Sequence, residues 1–195
     1  MEASDLDQSP FRQFEVWFEE AKGATREPEA MALATVGATG TPAARMVLLR
    51  GFDEEGFRFF TNYDSQKGMD LQANPMAALL FYWEPLNRQV RIDGEVSRLP
   101  GHESDAYFAT RPRESQLGAW ASAQSRPIPD RATLLRAVEE AGRCFPDEVR
   151  RPPWWGGFLL VPVRFEFWVA GEARLHDRFV YEPDENGWTI KRLSP

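Results

Sequence analysis

The chain has 195 residues, a length that suits one domain with a sizeable core. Apolar residues make up 43% and charged residues 27%, and the net charge is −7. That acidic balance excludes wholesale nucleic-acid binding, so an anion site has to be a local concentration of cations. Aromatics reach 13%, with seven Trp and fourteen Phe, which points to β-structure, a flat ligand or a large interface.

Cys144 is the sole cysteine, so no intramolecular disulfide can form and a reducing compartment is expected. Its helix-like run predicts a small apolar core residue. The N-terminal stretch carries no basic n-region followed by an apolar h-region, and no apolar run reaches membrane-spanning length. The expectation is a soluble cytoplasmic protein, one domain over 1–195, with residues 1–9 disordered and with neither membrane nor nucleic acid as partner.

Ser9-Pro10 reads as a helix start, with Ser as cap and Pro at the first position. Phe11, Phe14, Phe18 and Ala21 recur at helical spacing and Gly23 closes the segment, which predicts a helix over 10–22 burying a Phe stripe. From Ala30 the period changes to two. Strands are expected at 31–36, 43–52 and 57–61, then a short helix at 65–73 that Asn74-Pro75 ends, then strands at 77–83 and 88–97. Five strands with short loops leave no room for crossover helices, so they pair antiparallel in a barrel or sandwich. Helices follow at 101–110 and 115–123. A third, capped by Pro129-Asp130, runs to Cys144 with Leu135, Val138 and Ala141 as its apolar face. After a proline-rich connector come strands at 158–161, 165–169, 179–181 and 188–193, the last two joined by an Asp184-Glu185-Asn186-Gly187 turn.

Familiar site motifs are missing. There is no Gly-rich dinucleotide fingerprint, no Walker loop and no nucleophile elbow. With two histidines and one cysteine, no zinc site is expected, and no metal is assigned. What the chain does hold is cations and hydroxyls at strand ends. The stretch Arg45-Met46-Val47-Leu48-Leu49-Arg50 reads as a buried strand with a guanidinium near each end, and Arg pairs bidentately with phosphate oxygens. Phe60-Thr61-Asn62 followed by Ser65-Gln66-Lys67 places hydroxyls and an ammonium at a helix N-terminus. Tyr107, Arg111 and Ser115 are spaced by four, although Pro112 argues against one continuous helix. Gln124-Ser125 adds an amide and a hydroxyl at a helix end. In Arg174-Leu175-His176-Asp177-Arg178, an extended backbone would put Arg174, His176 and Arg178 on one face beside Trp168, a place for something flat and anionic. The same pattern also describes a basic edge strand that discourages aggregation.

These stretches match a family. Arg-Met-Val-Leu-Leu-Arg at 45–50, Phe-Phe-Thr-Asn at 59–62, Asn-Arg-Gln-Val at 87–90 and Tyr-Phe-x-x-Arg-Pro-Arg-x-Ser-Gln-x-Gly-Ala-Trp at 107–120 resemble pyridoxamine 5'-phosphate oxidase. So do Trp-Gly-Gly-Phe at 155–158, Glu-Phe-Trp…Arg-Leu-His-Asp-Arg at 166–178 and the terminal Trp-x-x-x-Arg-Leu-x-Pro. The resemblance implies a mainly β chain with peripheral α-helices, an FMN-binding split β-barrel of antiparallel strands of Greek-key type. It implies a homodimer with FMN in clefts between subunits, oxidising pyridoxine or pyridoxamine 5'-phosphate to pyridoxal 5'-phosphate with oxygen as acceptor and hydrogen peroxide as product. Residue by residue, it implies an FMN site of Arg45, Met46, Val47, Leu48, Leu49, Arg50, Phe60, Thr61, Gln66, Lys67, Gln89, Gln124, Ser125, Trp168 and Arg178, some from the partner subunit. The implied substrate residues are Arg50, Tyr107, Arg111 and Ser115 around the phosphate, with Arg174 and His176 over the ring as the catalytic pair.

Three departures carry expectations of their own. The family has Lys where Arg50 stands, which puts substrate affinity in question. It has Arg where Gln66 stands, which predicts weaker FMN retention. It often has a longer basic N-terminal arm, so a shorter or missing substrate lid is expected. The competing readings are a related flavin oxidase acting on another reduced ring, as in phenazine biosynthesis, and a non-catalytic binder of flavin or pyridoxal phosphate.

Overall fold

The computed structural model describes residues 1–185 and 187–195. Helix α1 (Pro10–Ala24) starts where Ser9 Oγ accepts from the Arg12 amide, and it runs through Gly23. It buries Phe14, Trp17, Phe18 and Ala21, with Phe11 half-buried against Phe57, Phe165 and Trp188. Each such ring contributes about 2–3 kcal/mol by leaving water.

Among the described residues nine strands form one antiparallel sheet: β1 (Ala30–Val36), β2 (Pro42–Leu48), β3 (Gly51–Asp53), β4 (Gly56–Asn62), β5 (Met76–Trp83), β6 (Arg88–Arg98), β7 (Trp155–Val169), β8 (Asp177–Asp184) and β9 (Gly187–Leu193). Their order is β2-β1-β5-β6-β7-β4-β3, with β8 on β7 and β9 on β8. The curl closes because β7 is long enough to hold two partners on one edge, β4 along 155–160 and β8 along 165–169. This is the antiparallel split barrel that the motifs imply.

The helices are α2 (Gln66–Ala73), α3 (Gly101–Ala109), α4 (Arg113–Ala121) and α5 (Arg131–Cys144). The last three close a second apolar cluster of Phe108, Leu117, Val149 and Trp155, with Phe60, Tyr107 and Trp120 packed on it. This cluster fixes the helices against β4 and β7.

Several expectations need correction. The strand predicted over 43–52 breaks at Leu49-Arg50, because the chain changes partners there. Leu49 N donates to Glu29 O at 2.9 Å, next to β1, and Arg50 N to Arg58 O at 2.8 Å, in β4. Nor is 45–50 a buried strand: β2 ends the sheet, and Met46 is 64% exposed. The strands predicted at 158–161 and 165–169 are one element, β7, continuous through a register shift opposite Asp93-Gly94. Cys144 is exposed and not a core residue, since α5 turns that side outward. Leu135 is likewise 50% exposed, while Val138 and Ala141 pack on the second cluster. The turn expected at Asp184-Glu185-Asn186-Gly187 includes Asn186, which lies outside the described residues; the flanking strands pair from Asp184 to Gly187.

Residues 1–9, where disorder is expected, are tied to the C-terminal strands. Leu6 is buried, Tyr181 Oη donates to Asp7 O at 2.8 Å, and the terminal ammonium pairs with Asp177 at 3.0 Å. A lone buried leucine and two polar ties leave no signal in a polar stretch of sequence.

Candidate active site

A cleft of about 610 Å³ opens where the β2–β3 break, β4, the start of α2 and the α3–α4 junction meet. It is lined by Met46, Val47, Leu48, Arg50, Phe60, Thr61, Lys67, Tyr107, Thr110, Arg111, Pro112, Ser115, Gln124 and Trp155. Three of these side chains are cationic and none is acidic, in a chain whose net charge is −7.

The wall is aromatic. Phe60 stacks on Tyr107 at 3.9 Å between centroids, and Trp155 lies nearly parallel to Tyr107 at 6.2 Å. Phe60 can lie this close to β7 because position 157 is glycine. A Cβ at Gly157 would come within 2.7 Å of the Phe60 ring. Arg111 rests on the Trp155 face at 4.5 Å. Its Nη1 is buried and has no hydrogen-bond partner among the described residues. Burial above all, and the charge of Arg50, hold its guanidinium below the ordinary arginine value, against an opposing influence from Tyr107. An arginine with an unspent buried donor beside a second arginine suits an anion with several oxygens.

A second cationic corner forms at the N-terminus of α2. Ser65 caps the helix, Lys67 Nζ donates to Gln124 Oε1 at 2.9 Å, and the Gln66 amide donates to Ser125 Oγ at 3.2 Å. Thr61 Oγ1 donates to the same Gln124 oxygen at 3.2 Å. Behind Lys67, Arg45 is fixed by Thr35 at 2.6 Å and by the buried Asp70 carboxylate at 3.4 Å. Gln66 spends its side-chain amide on Asp70 at 2.7 Å, so it completes the anchor and does not add a donor to the cleft. Thr35 and Asp70 escape sequence reasoning: one sits in a plain strand and the other four residues after Gln66. The i, i+4 spacing of Gln66 and Asp70 is the one signal available.

Burial, then the charge of Arg45, lowers the Lys67 ammonium to about 8. Two slopes of opposite sign follow. The unfolded chain holds this proton up to the ordinary lysine value, so stability of the ligand-free protein rises as pH climbs from about 8 towards 10. An anion bound at Lys67 favours the charged form, so its affinity falls above pH 8 and its binding takes up a proton there. Calorimetric titration of FMN in two buffers of different ionisation heat reads this directly. Affinity flat to pH 9.5 with no proton uptake would remove Lys67 from the anion's contacts.

The remaining residues of interest gather elsewhere on the chain. Gln89, Trp168 and Arg178 are direct cross-strand neighbours on β6, β7 and β8, in the row that begins with Tyr82 on the outer sheet face. His176 lies beside Trp168, 4.6 Å between ring centroids. Its Nδ1 accepts from the Gly171 amide at 3.2 Å, so the neutral ring carries its proton on Nε2. The extended backbone expected for 174–178 is not found. Residues Glu172–Arg174 form a tight 3-10 turn in which Ala173 and Arg174 have φ of 51° and 64°. Arg174 is exposed at its tip, and the strand begins only at Asp177. The cleft lining includes none of these five residues. Arg45, Gln66 and Ser125 are also absent from it, standing around Lys67 and Gln124 at the start of α2, as is Leu49, buried in the core. Thr110, Pro112 and Trp155 line the cleft without having been singled out as contacts. Among the described residues no group of three or more His, Cys, Asp or Glu side chains is placed to hold a metal, and no helix is long and apolar enough to cross a membrane.

A curled antiparallel barrel with a carboxylate-free cationic cleft and aromatic walls defines the class to which this chain is compared. The family described as pyridoxamine 5'-phosphate oxidase matches residues 18–144, and the pyridoxine 5'-phosphate oxidase C-terminal dimerisation region matches residues 155–195. The pyridoxine/pyridoxamine 5'-phosphate oxidase of Cupriavidus taiwanensis is 55% identical over 98% of this chain and 92% of that protein. That of Bordetella pertussis is 56% identical over 96% and 90%. Among solved structures, PhzG from Burkholderia lata, in complex with tetrahydrophenazine-1-carboxylic acid, superposes with a TM-score of 0.92. It is 33% identical, covering 98% of this chain and 95% of that one. A pyridoxamine 5'-phosphate oxidase-related, FMN binding protein from Nostoc punctiforme shares the fold at TM-score 0.76 and 22% identity. The chain belongs to the pyridoxamine 5'-phosphate oxidase family, a family of oxidoreductases.

Proposed function

We propose that this protein is an FMN-dependent oxidase converting pyridoxine or pyridoxamine 5'-phosphate to pyridoxal 5'-phosphate, with oxygen as acceptor and hydrogen peroxide as product. The observation that carries it is the cleft's charge: Arg50, Arg111 and Lys67 converge with no carboxylate, and Arg111 Nη1 is buried and unspent. Two phosphates, one of FMN and one of the substrate, match the two cationic corners in number and sign. FMN, when bound, supplies a two-electron acceptor that oxygen can regenerate.

The chain's own residues then divide the work. Lys67, Arg45 and Ser125 hold the cofactor phosphate, with Arg45 kept in place by Asp70 and Thr35. Arg50, Arg111, Ser115 and Tyr107 hold the substrate phosphate, remote from the reacting carbon, so binding energy there orients the ring. Gln89, Trp168, Arg174, His176 and Arg178 lie outside that cleft within one chain, so in this reading a second copy contributes them. The dimerisation region at 155–195 carries four of the five. His176 presents Nε2–H and acts as a hydrogen-bond donor to the substrate's oxygen or amine, which leaves proton acceptance to another group. A donor of this kind orients the reacting carbon.

The test is anaerobic. Protein loaded with FMN and mixed with pyridoxine 5'-phosphate should lose the flavin's visible absorbance and recover it on admitting air, with pyridoxal 5'-phosphate formed. A flavin that stays oxidised with both phosphates sinks the reading. The likeness to PhzG favours a second reading, oxidation of a reduced phenazine-type ring, and bleaching by such a ring but by neither phosphate selects it.

A further inference from the structure

Glu166 is a buried carboxylate, 3% exposed, on the outer sheet face, and no role assigned above uses it. Its oxygens are divided between two arginines. Oε1 accepts from Arg178 Nε at 2.7 Å, and Oε2 lies 3.1 Å from Arg91 Nη2. The charges continue in alternating sign: Arg91 to Asp93 at 3.4 Å, Asp93 to Arg164 at 3.5 Å, Arg164 to Glu182 at 3.8 Å, Glu182 to Lys191 at 2.7 Å. Arg178 is the last cation of this ladder. Its Nη1 donates to Ser194 O at 3.0 Å, and Nη2 has no partner among the described residues. Nε and Nη1 are thus spent on protein, and Nη2, which belongs to both donor edges of the guanidinium, is left over, in the row that holds Gln89 and Trp168. Burying a carboxylate in a strand is costly unless its partners are well placed, and an apolar residue there would pack as well. The position makes sense as a device for Arg178.

We propose that Glu166 is a positioning residue for the cation that meets the flavin. It fixes the Arg178 guanidinium through Nε, and its charge tempers that of Arg178. It thereby holds the flavin's reduction potential below the value the arginine alone would set. The inference rests on the FMN reading above.

Glu166→Gln tests it, because the amide keeps an acceptor for Arg178 Nε and removes only the charge. The potential of bound FMN is measured by equilibration with a reference dye, beside a urea midpoint. Glu166→Gln should favour the reduced over the oxidised flavin about tenfold more than the native chain does, a positive shift of about 30 mV for a two-electron couple. Arg178→Gln should shift it negative. If Arg178→Gln moves the potential and Glu166→Gln does not, the inference fails and the FMN reading stands. If neither moves it, Arg178 does not meet the flavin and the inference fails with that assignment. A native chain that binds no FMN overturns both the inference and the reading it rests on. Should Glu166→Gln not fold, Arg91→Gln carries the test: it leaves the full carboxylate charge on Arg178, so the shift should be negative, and an unmoved potential overturns the inference. A purely structural Glu166 would move the urea midpoint alone.

Discussion

Arg111→Ala should raise the KM for pyridoxine 5'-phosphate roughly a hundredfold, since a charged contact of this kind is worth about 3 kcal/mol and each 1.4 kcal/mol is tenfold. The reason lies in what Arg111 lacks. Its plane is held on Trp155, its Nη1 is buried without a partner, and Arg50 stands close enough to lower its proton affinity. A group arranged this way is under-satisfied until an anion arrives, so the anion recovers most of what the arrangement costs. FMN affinity should stay within about twofold, because the corner proposed for the cofactor's phosphate is built from other residues. Arg111→Lys should recover only part of the loss, since a point charge cannot reproduce the planar fork. Steady-state kinetics with a parallel FMN titration reads both. An unchanged KM removes Arg111 from the substrate site, and a joint loss of FMN moves it to the cofactor.

Gly68→Ala should destabilise the fold by about 3 kcal/mol, against the gain of about 1 kcal/mol that helix propensity alone would give. A Cβ there would overlap the carbonyl oxygen of Tyr63 and come within 2.8 Å of its Cα. The obstacle is backbone, so no rotamer change relieves it. The Gly68 amide also belongs to the Ser65 cap. Displacing it turns the first turn of α2, and with it Lys67, away from Gln124. Gly118→Ala is the control. That position lies inside α4, where an added methyl group meets nothing within 4 Å, and the change should be neutral or gain up to about 1 kcal/mol. Unfolding free energies from urea titration of the two variants should differ by about 3–4 kcal/mol, with the midpoint of Gly68→Ala the lower. Equal midpoints would show that α2 yields to the methyl group.

Much of this was legible along the chain. The Phe spacing of α1, the Ser9-Pro10 start and the short loops of the first strands are local signals, and the structure follows them. The long motifs carried the family and the split barrel. Reading failed where the cause was not local. The break at Leu49-Arg50 comes from a change of partner strand, from β1 to β4, and nothing in an apolar run announces which neighbour it will meet. The alternation expected from Arg174 to Arg178 assumed extended backbone, and Ala173 and Arg174 instead adopt positive φ to close a turn.

By itself, then, the sequence determined the element types and the antiparallel class, because these depend on periodicity, capping and side-chain type, and its long motifs carried the resemblance to the family. Only the tertiary structure decided how the candidate site residues are grouped. It placed Arg50, Arg111 and Lys67 in one carboxylate-free cleft, and it set Gln89, Trp168 and Arg178 in a row on another face. It gave Arg45 and Arg178 their buried carboxylate anchors, Asp70 and Glu166. Asp70 lies 25 residues from Arg45 along the chain. Pairing at such a distance is fixed by strand register and sheet curl, and those follow from the packing of the whole core.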